Sequence, residues 1–186
     1  MEGVSMISFA RLLLGGCILL MISCTEELPP EDVFENPLDE DEVTYETPAL
    51  TFYPLENDVN LGTSFTVSVY GLGIDNLGGS YVRVGYDKTK LSVLSISVGD
   101  FFTDAVQTPI FFYENNTENS FVDIYTSFLG TDSTAVSGTG SLAQIVFTSI
   151  TAGTSNLTYG LDCELVTPGD DAIEIKGFGE GVVNAQ

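Results

Sequence analysis

The chain has 186 residues, with 27 Asp or Glu against 5 Lys or Arg and neither His nor Trp, so its formal net charge is −22 and its pI about 4.1. Without imidazole there is no Ser-His or Cys-His dyad, no histidine zinc ligand and no imidazole general base, which removes most hydrolytic and metal-assisted active sites. A nucleic-acid partner is excluded on the same arithmetic, because neutralising phosphates needs a clustered Lys/Arg face.

In chain order, the first element is a targeting segment. Arg11 precedes an unbroken apolar or glycine run from Leu12 to Ile22, which ends at Ser23-Cys24. A membrane-spanning helix needs about 20 apolar residues, so this run has the length of a signal-peptide hydrophobic region instead. The small residue followed by Cys looks like a lipobox. On that reading signal peptidase II cleaves before Cys24, whose thiol then carries diacylglycerol. Met21 stands where Leu is commoner, and an ordinary secretory signal cut nearby is the alternative. Each buried methylene contributes about 0.8 kcal/mol, so two or three acyl chains anchor the protein firmly without spanning the membrane. The expected location is extracytoplasmic, at the outer membrane and on its cell-surface side if the segment that follows carries an address. Cys17 leaves with the signal and Cys24 is lipidated, which leaves Cys163 without an intramolecular partner.

Residues 25–48 hold ten acids and no base, spaced by prolines. Such a segment cannot bury enough apolar surface to offset its ordering entropy, and it self-repels, so it reads as an extended tether. Its acid cluster next to Cys24 is either a surface-export tag of the kind some Gram-negative lipoproteins carry or a plain solvated spacer.

From Ala49 onward, short apolar, β-branched and aromatic runs alternate with Gly, Asn, Asp and Ser, marking one domain over residues 49–186. Ser64–Tyr70, Tyr81–Tyr86 and Phe121–Thr126 alternate with period two, the pattern of strands with one buried face. Leu91–Val98, Ser141–Thr148, Thr154–Gly160 and Ala172–Asn184 add further strands, and no helical periodicity of useful length intervenes. Turn signals recur at Leu61-Gly62, Asn76–Gly79, Asp87-Lys88, Ser137–Gly140, Ala152-Gly153 and Pro168–Asp170. Many short strands with regular turns imply an all-β sandwich or jelly roll. No cofactor is expected. Asp75-Asn76 and Asp170-Asp171 are the best loop candidates for calcium, but neither reproduces a spaced acidic loop, so both read as solvated turns.

The order of these pieces resembles the cohesin family. Val67–Val69 leads to the Asn-Leu-Gly-Gly turn, followed by Val82–Asp87, the Leu91-Ser92-Val93 pattern and Gly99-Asp100. Ser137–Phe147, Ala152–Thr158 and Gly179–Val183 are similar to the family's later strands, so the likeness runs from about Ala49 to the C-terminus. The resemblance implies a nine-stranded jelly-roll β-sandwich, a fold shared with carbohydrate-binding modules, and a non-catalytic role in which a flat sheet docks a dockerin module. The family's docking face is built from its eighth, third, sixth and fifth strands. Alternation then points Tyr81 and Arg83 outward from the third strand, Phe121, Asp123 and Tyr125 from the fifth, and Leu142, Gln144 and Val146 from the sixth.

The partner-binding set that follows is Tyr81, Arg83, Asp123, Tyr125, Leu142 and Gln144, with aromatic and Arg anchors and sparse Lys, as interfaces prefer. An Arg83–Asp123 cross-strand ion pair is the structural alternative for the only arginine of the mature chain. Gly79 and Tyr81 occupy positions where dockerin-binding cohesins often carry Asn and Asp. Polysaccharide binding on Tyr81, Tyr113 and Tyr125 is the rival reading, although no Trp is present, and a structural spacer in a surface assembly is the third. Catalysis by a carboxylate pair has no cleft motif behind it.

Overall fold

The computed structural model describes residues 45–129 and 134–186. The apolar run Leu12–Ile22, the lipidation candidate Cys24 and residues 25–44 of the acidic segment lie outside them. Thirteen strand segments account for most of the described chain: β1 (Ala49–Tyr53), β2 (Glu56–Val59), β3 (Ser64–Leu77), β4 (Gly79–Gly85), β5 (Leu91–Val98), β6 (Ile110–Asn116), β7 (Phe121–Ser127), β8 (Val136–Ser149), β9 (Gly153–Tyr159), β10 (Glu164–Val166), β11 (Ala172–Ile173), β12 (Gly177–Phe178) and β13 (Gly181–Ala185). Among the described residues the only helical element is a single 3₁₀ turn, Asp100–Phe102.

The strands form two facing mixed sheets. The first runs β12-β1-β3-β8-β5, antiparallel except for the parallel β1–β12 pair. In the second, β4 carries β7 along one edge over Gly79–Gly85. Along its other edge it carries β10 at Gly79–Tyr81 and β9 at Val84–Gly85. β6 extends the sheet beyond β7, while β13 and β2 extend it beyond β9.

The core lies between the sheets and follows the alternation. Val67, Val69, Ile145 and Phe147 from the first sheet meet Val82, Val84, Val122, Ile124, Leu157 and Val183 from the second, all buried. Phe52 stacks on Tyr159 with ring centroids 4.4 Å apart, tying the two sheets where β1 crosses β9. The sandwich expected from the sequence is therefore present. The expected strand Ala172–Asn184 is three pieces, β11, β12 and β13, which pair in different places. Further strands form at β1, β2, β6 and β10.

Two close approaches fix the frame. Gly99 leaves room for β8, because a Cβ there would stand 1.9 Å from the Ser141 carbonyl oxygen. Gly78, between β3 and β4, lies against the Pro168 backbone, where a Cβ would meet the Pro168 nitrogen at 2.4 Å. At the N-terminal boundary Tyr45 packs beside Ala49 and Leu72, and the Lys176 N–H donates to the Pro48 carbonyl. Residues 45–48 of the acidic segment thus lie on the domain.

Candidate functional site

The outer face of the β10-β4-β7-β6 sheet gathers the residues that the alternation pattern singled out. β4 and β7 pair in a register that sets Tyr81 opposite Tyr125, Arg83 opposite Asp123 and Gly85 opposite Phe121. With Val82, Val84, Val122 and Ile124 in the core, these alternate residues must face away from it. β6 adds Ile110, Phe112 and Glu114 to the same face, opposite Ser127, Tyr125 and Asp123. β10 adds Glu164, opposite Tyr81.

The result is two rows of side chains. In the first, Tyr81 stacks on Tyr125 at 5.0 Å between ring centroids, and Tyr125 meets Phe112 at 5.8 Å. Tyr125 is 39% exposed, Phe112 58% and the neighbouring Ile110 48%, so an apolar strip faces solvent. The second row is ionic. Arg83 Nε and Nη2 donate to the two Asp123 carboxylate oxygens at 2.7 and 2.9 Å, and Nη1 reaches Asp162 at 2.8 Å. The guanidinium also lies 4.1 Å from the Phe121 ring centroid. The Tyr81 hydroxyl stands 3.0 Å from Asp123 Oδ1 and 3.2 Å from Asp162 Oδ2, bridging the two rows.

Electrostatics follow from this packing. Hydrogen bonding to Asp123 holds the Arg83 guanidinium even further towards its charged form than usual. Desolvation, then the Asp123 hydrogen bond, keeps the Tyr81 hydroxyl protonated far above the ordinary tyrosine range. Desolvation, then the charges of Asp123 and Glu114, also pushes up Tyr125.

Three members of the expected set sit elsewhere or act differently. Leu142 and Gln144 do not share this face, because β8 belongs to the opposite sheet. Gln144 is exposed there, but Leu142 is 2% exposed and packs in the core. A bulge explains it. Val69 pairs with Ala143 and Tyr70 with Ser141, so Leu142 is the extra residue on β8 and turns inward against the alternation. Asp123 does point outward but is only 5% exposed, covered by its contacts with Arg83 and Tyr81. Sequence reading missed β6 because Phe111-Phe112-Tyr113 is an unbroken aromatic run, in which period two is invisible. Tyr113, offered with Tyr81 and Tyr125 as a sugar platform, faces the other side of β6 from Phe112.

Cys163 serves the site from behind. Between β9 and β10 the edge of β4 loses its strand partner, and there the Arg83 N–H donates to Cys163 Sγ at 3.3 Å while the thiol faces the Arg83 carbonyl. Burial pushes the thiol pKa up to about 11, so it stays protonated at neutral pH. Of the calcium candidates, Asp75 Oδ1 accepts from Ser137 Oγ and Asp170 lies in a hydrogen-bonded turn. Among the described residues no three His, Cys, Asp or Glu converge as a metal site.

No family model matches this chain, and no curated protein does. Solved structures do match in fold. A type II cohesin domain from the cellulosome of Acetivibrio cellulolyticus aligns with a TM-score of 0.64 at 16% identity, over 73% of this chain and 94% of that one. A non-cellulosomal cohesin from the archaeon Archaeoglobus fulgidus gives 0.61 at 15% identity, over 74% and 90%. A type I cohesin–dockerin complex from Clostridium thermocellum gives 0.61 at 13% identity, over 77% and 100%. The domain has the cohesin fold.

Proposed function

We propose that this chain is a non-catalytic docking module, which binds a dockerin-type protein through the outer face of β10-β4-β7-β6 and is held at a membrane by lipid on Cys24. The observation that carries the reading is the exposed strip Tyr125–Phe112 with Ile110, continued by the half-buried Tyr81, on a face where a solvated sheet would be polar. Such a strip, framed by fixed polar groups, has the composition of an interface core. The cohesin fold supports the partner class, since several similar structures are cohesins solved with dockerins. Its setting is a surface assembly linked to polysaccharide breakdown, with the partner borne by a carbohydrate-active enzyme.

Direct glycan binding is the weaker reading on this geometry. Tyr81 and Tyr125 stack on each other at 5.0 Å and 22°, so each turns one ring face to the other and the two do not form a coplanar platform for a sugar.

The test is capture of dockerin modules by the immobilised full chain, with affinity electrophoresis on soluble glycans alongside. Y125A and F112A are each expected to weaken capture by at least about tenfold, the effect of losing roughly 1.4 kcal/mol at an anchor. Unchanged capture in both variants would move the interface off this face. Slowed migration on a glycan with no dockerin capture would replace the docking reading with the sugar one, and inactivity in both assays would leave a spacer. For the anchor, C24S is expected to abolish fatty-acid labelling and move the protein from the membrane to the soluble fraction. Membrane retention without label would sink it.

A further inference from the structure

The partner's chemistry can be taken further, on the docking reading above. The described residues contain four cations, and each is already engaged. Arg83 is held by Asp123 and Asp162; Lys88 donates to the Glu118 carbonyl at 2.6 Å; Lys90 reaches the Thr154 carbonyl and Asp87; Lys176 pairs with Glu46. On the docking face Arg83 is the single cation among the described residues, and all three of its nitrogens are committed to Asp123 and Asp162.

The carboxylates of the docking face are differently placed. Glu164 flanks Tyr81 at one end of the aromatic strip, and Glu114 flanks Asp123 at the other side of the ionic row. Both are exposed, and neither takes part in an ion pair or side-chain hydrogen bond among the described residues. The face therefore carries four carboxylates, those of Asp123, Asp162, Glu114 and Glu164, against the single cation of Arg83. Covering Glu114 and Glu164 with an uncharged surface would strip their water without replacement, and an acidic surface would be repelled.

We infer that the face takes a protein surface in which an apolar side chain is flanked by at least two Lys or Arg, the partner supplying every cation of the interface. The apolar group seats against Tyr125 and Phe112. The cation facing Glu114 stands about 7 Å from the apolar group, two rises of about 3.3 Å along β6 from Phe112, and the one facing Glu164 about 10 Å from it, two strand spacings of about 4.8 Å across β4 from Tyr125. Glu164 and Glu114 receive them, while Arg83 remains tied to its own strand neighbours as a positioning residue.

The test is selection of binders to the full chain from a displayed library of dockerin modules with randomised contact positions, followed by titration of the recovered modules. Enrichment of Lys or Arg around an apolar residue is expected, with affinity falling at least about tenfold between 50 and 500 mM salt as the charges are screened. E114K and E164K are each expected to lose about tenfold, and changing the facing Lys or Arg of the module to Glu is expected to restore it. Recovered modules with neutral or acidic contact positions, weakened by Y125A but indifferent to salt and to E114K, would overturn the cationic partner and leave the docking face intact. A library that yields no module sensitive to Y125A or F112A would overturn both.

Discussion

Arg83 illustrates how one side chain can look like an anchor and act as a brace. Its guanidinium spends three donors on Asp123 and Asp162 and lies over Phe121, which fixes the floor on which Tyr81 and Tyr125 stack. Removing it strands a carboxylate at Asp123 that is 5% exposed, so R83A is expected to lower stability more than the double variant R83A/D123A. Chemical denaturation of the four proteins of that cycle measures it, and additive losses would show that the pair is not coupled. Cys163 is a second brace. C163A leaves the Arg83 N–H without its sulfur acceptor and is expected to cost about 1–3 kcal/mol, with C163S recovering part of it. The ion pair was readable from the sequence as a cross-strand possibility, because alternation alone puts residues 83 and 123 on one face. The thiol's role was not, since it depends on where β9 and β10 leave a gap along β4.

At the level of elements, the departures trace to β8 lying in the opposite sheet and to two local events. The bulge at Leu142 breaks the alternation of β8, and β6 hides its alternation inside an aromatic run. For the site, the place of β8 in the opposite sheet takes Leu142 and Gln144 off the face, the bulge then turns Leu142 into the core, and β6 supplies Phe112, Ile110 and Glu114 in their place. L142A distinguishes a core residue from a surface one. It is expected to cost about 2–5 kcal/mol in denaturant unfolding, whereas a docking-face leucine would cost little and change binding instead. G99A is expected to be similarly damaging, because its Cβ would collide with the Ser141 carbonyl and the 3₁₀ turn that follows would have to shift.

The whole molecule adds a pH dependence with a fixed sign. Burial holds Cys163 at about 11 and raises Tyr159, Tyr86 and Tyr70 above the ordinary tyrosine value. Each group is neutral in the folded chain and ionises earlier in the unfolded one. For Cys163 the stabilisation is thus present below the unfolded thiol's value of about 9 and is lost as pH rises through about 11, and the buried tyrosines act in the same direction. Asp87, lowered by its Thr89 hydrogen bonds, works in the opposite direction and is lost as pH falls below the ordinary carboxylate range. Unfolding midpoints followed against pH are expected to fall from about pH 9 upward, and a midpoint level to pH 11 would contradict that burial. What the sequence determined by itself was the sandwich, its core residues and the outward positions on β4 and β7, because strand alternation is a local property of the chain. Which strands lie side by side was decided only in three dimensions. Pairing joins residues 40 or 80 positions apart, and a single bulge reverses a side chain, so the membership of the face, its missing free cation and its brace at Cys163 emerge only when the sheets close.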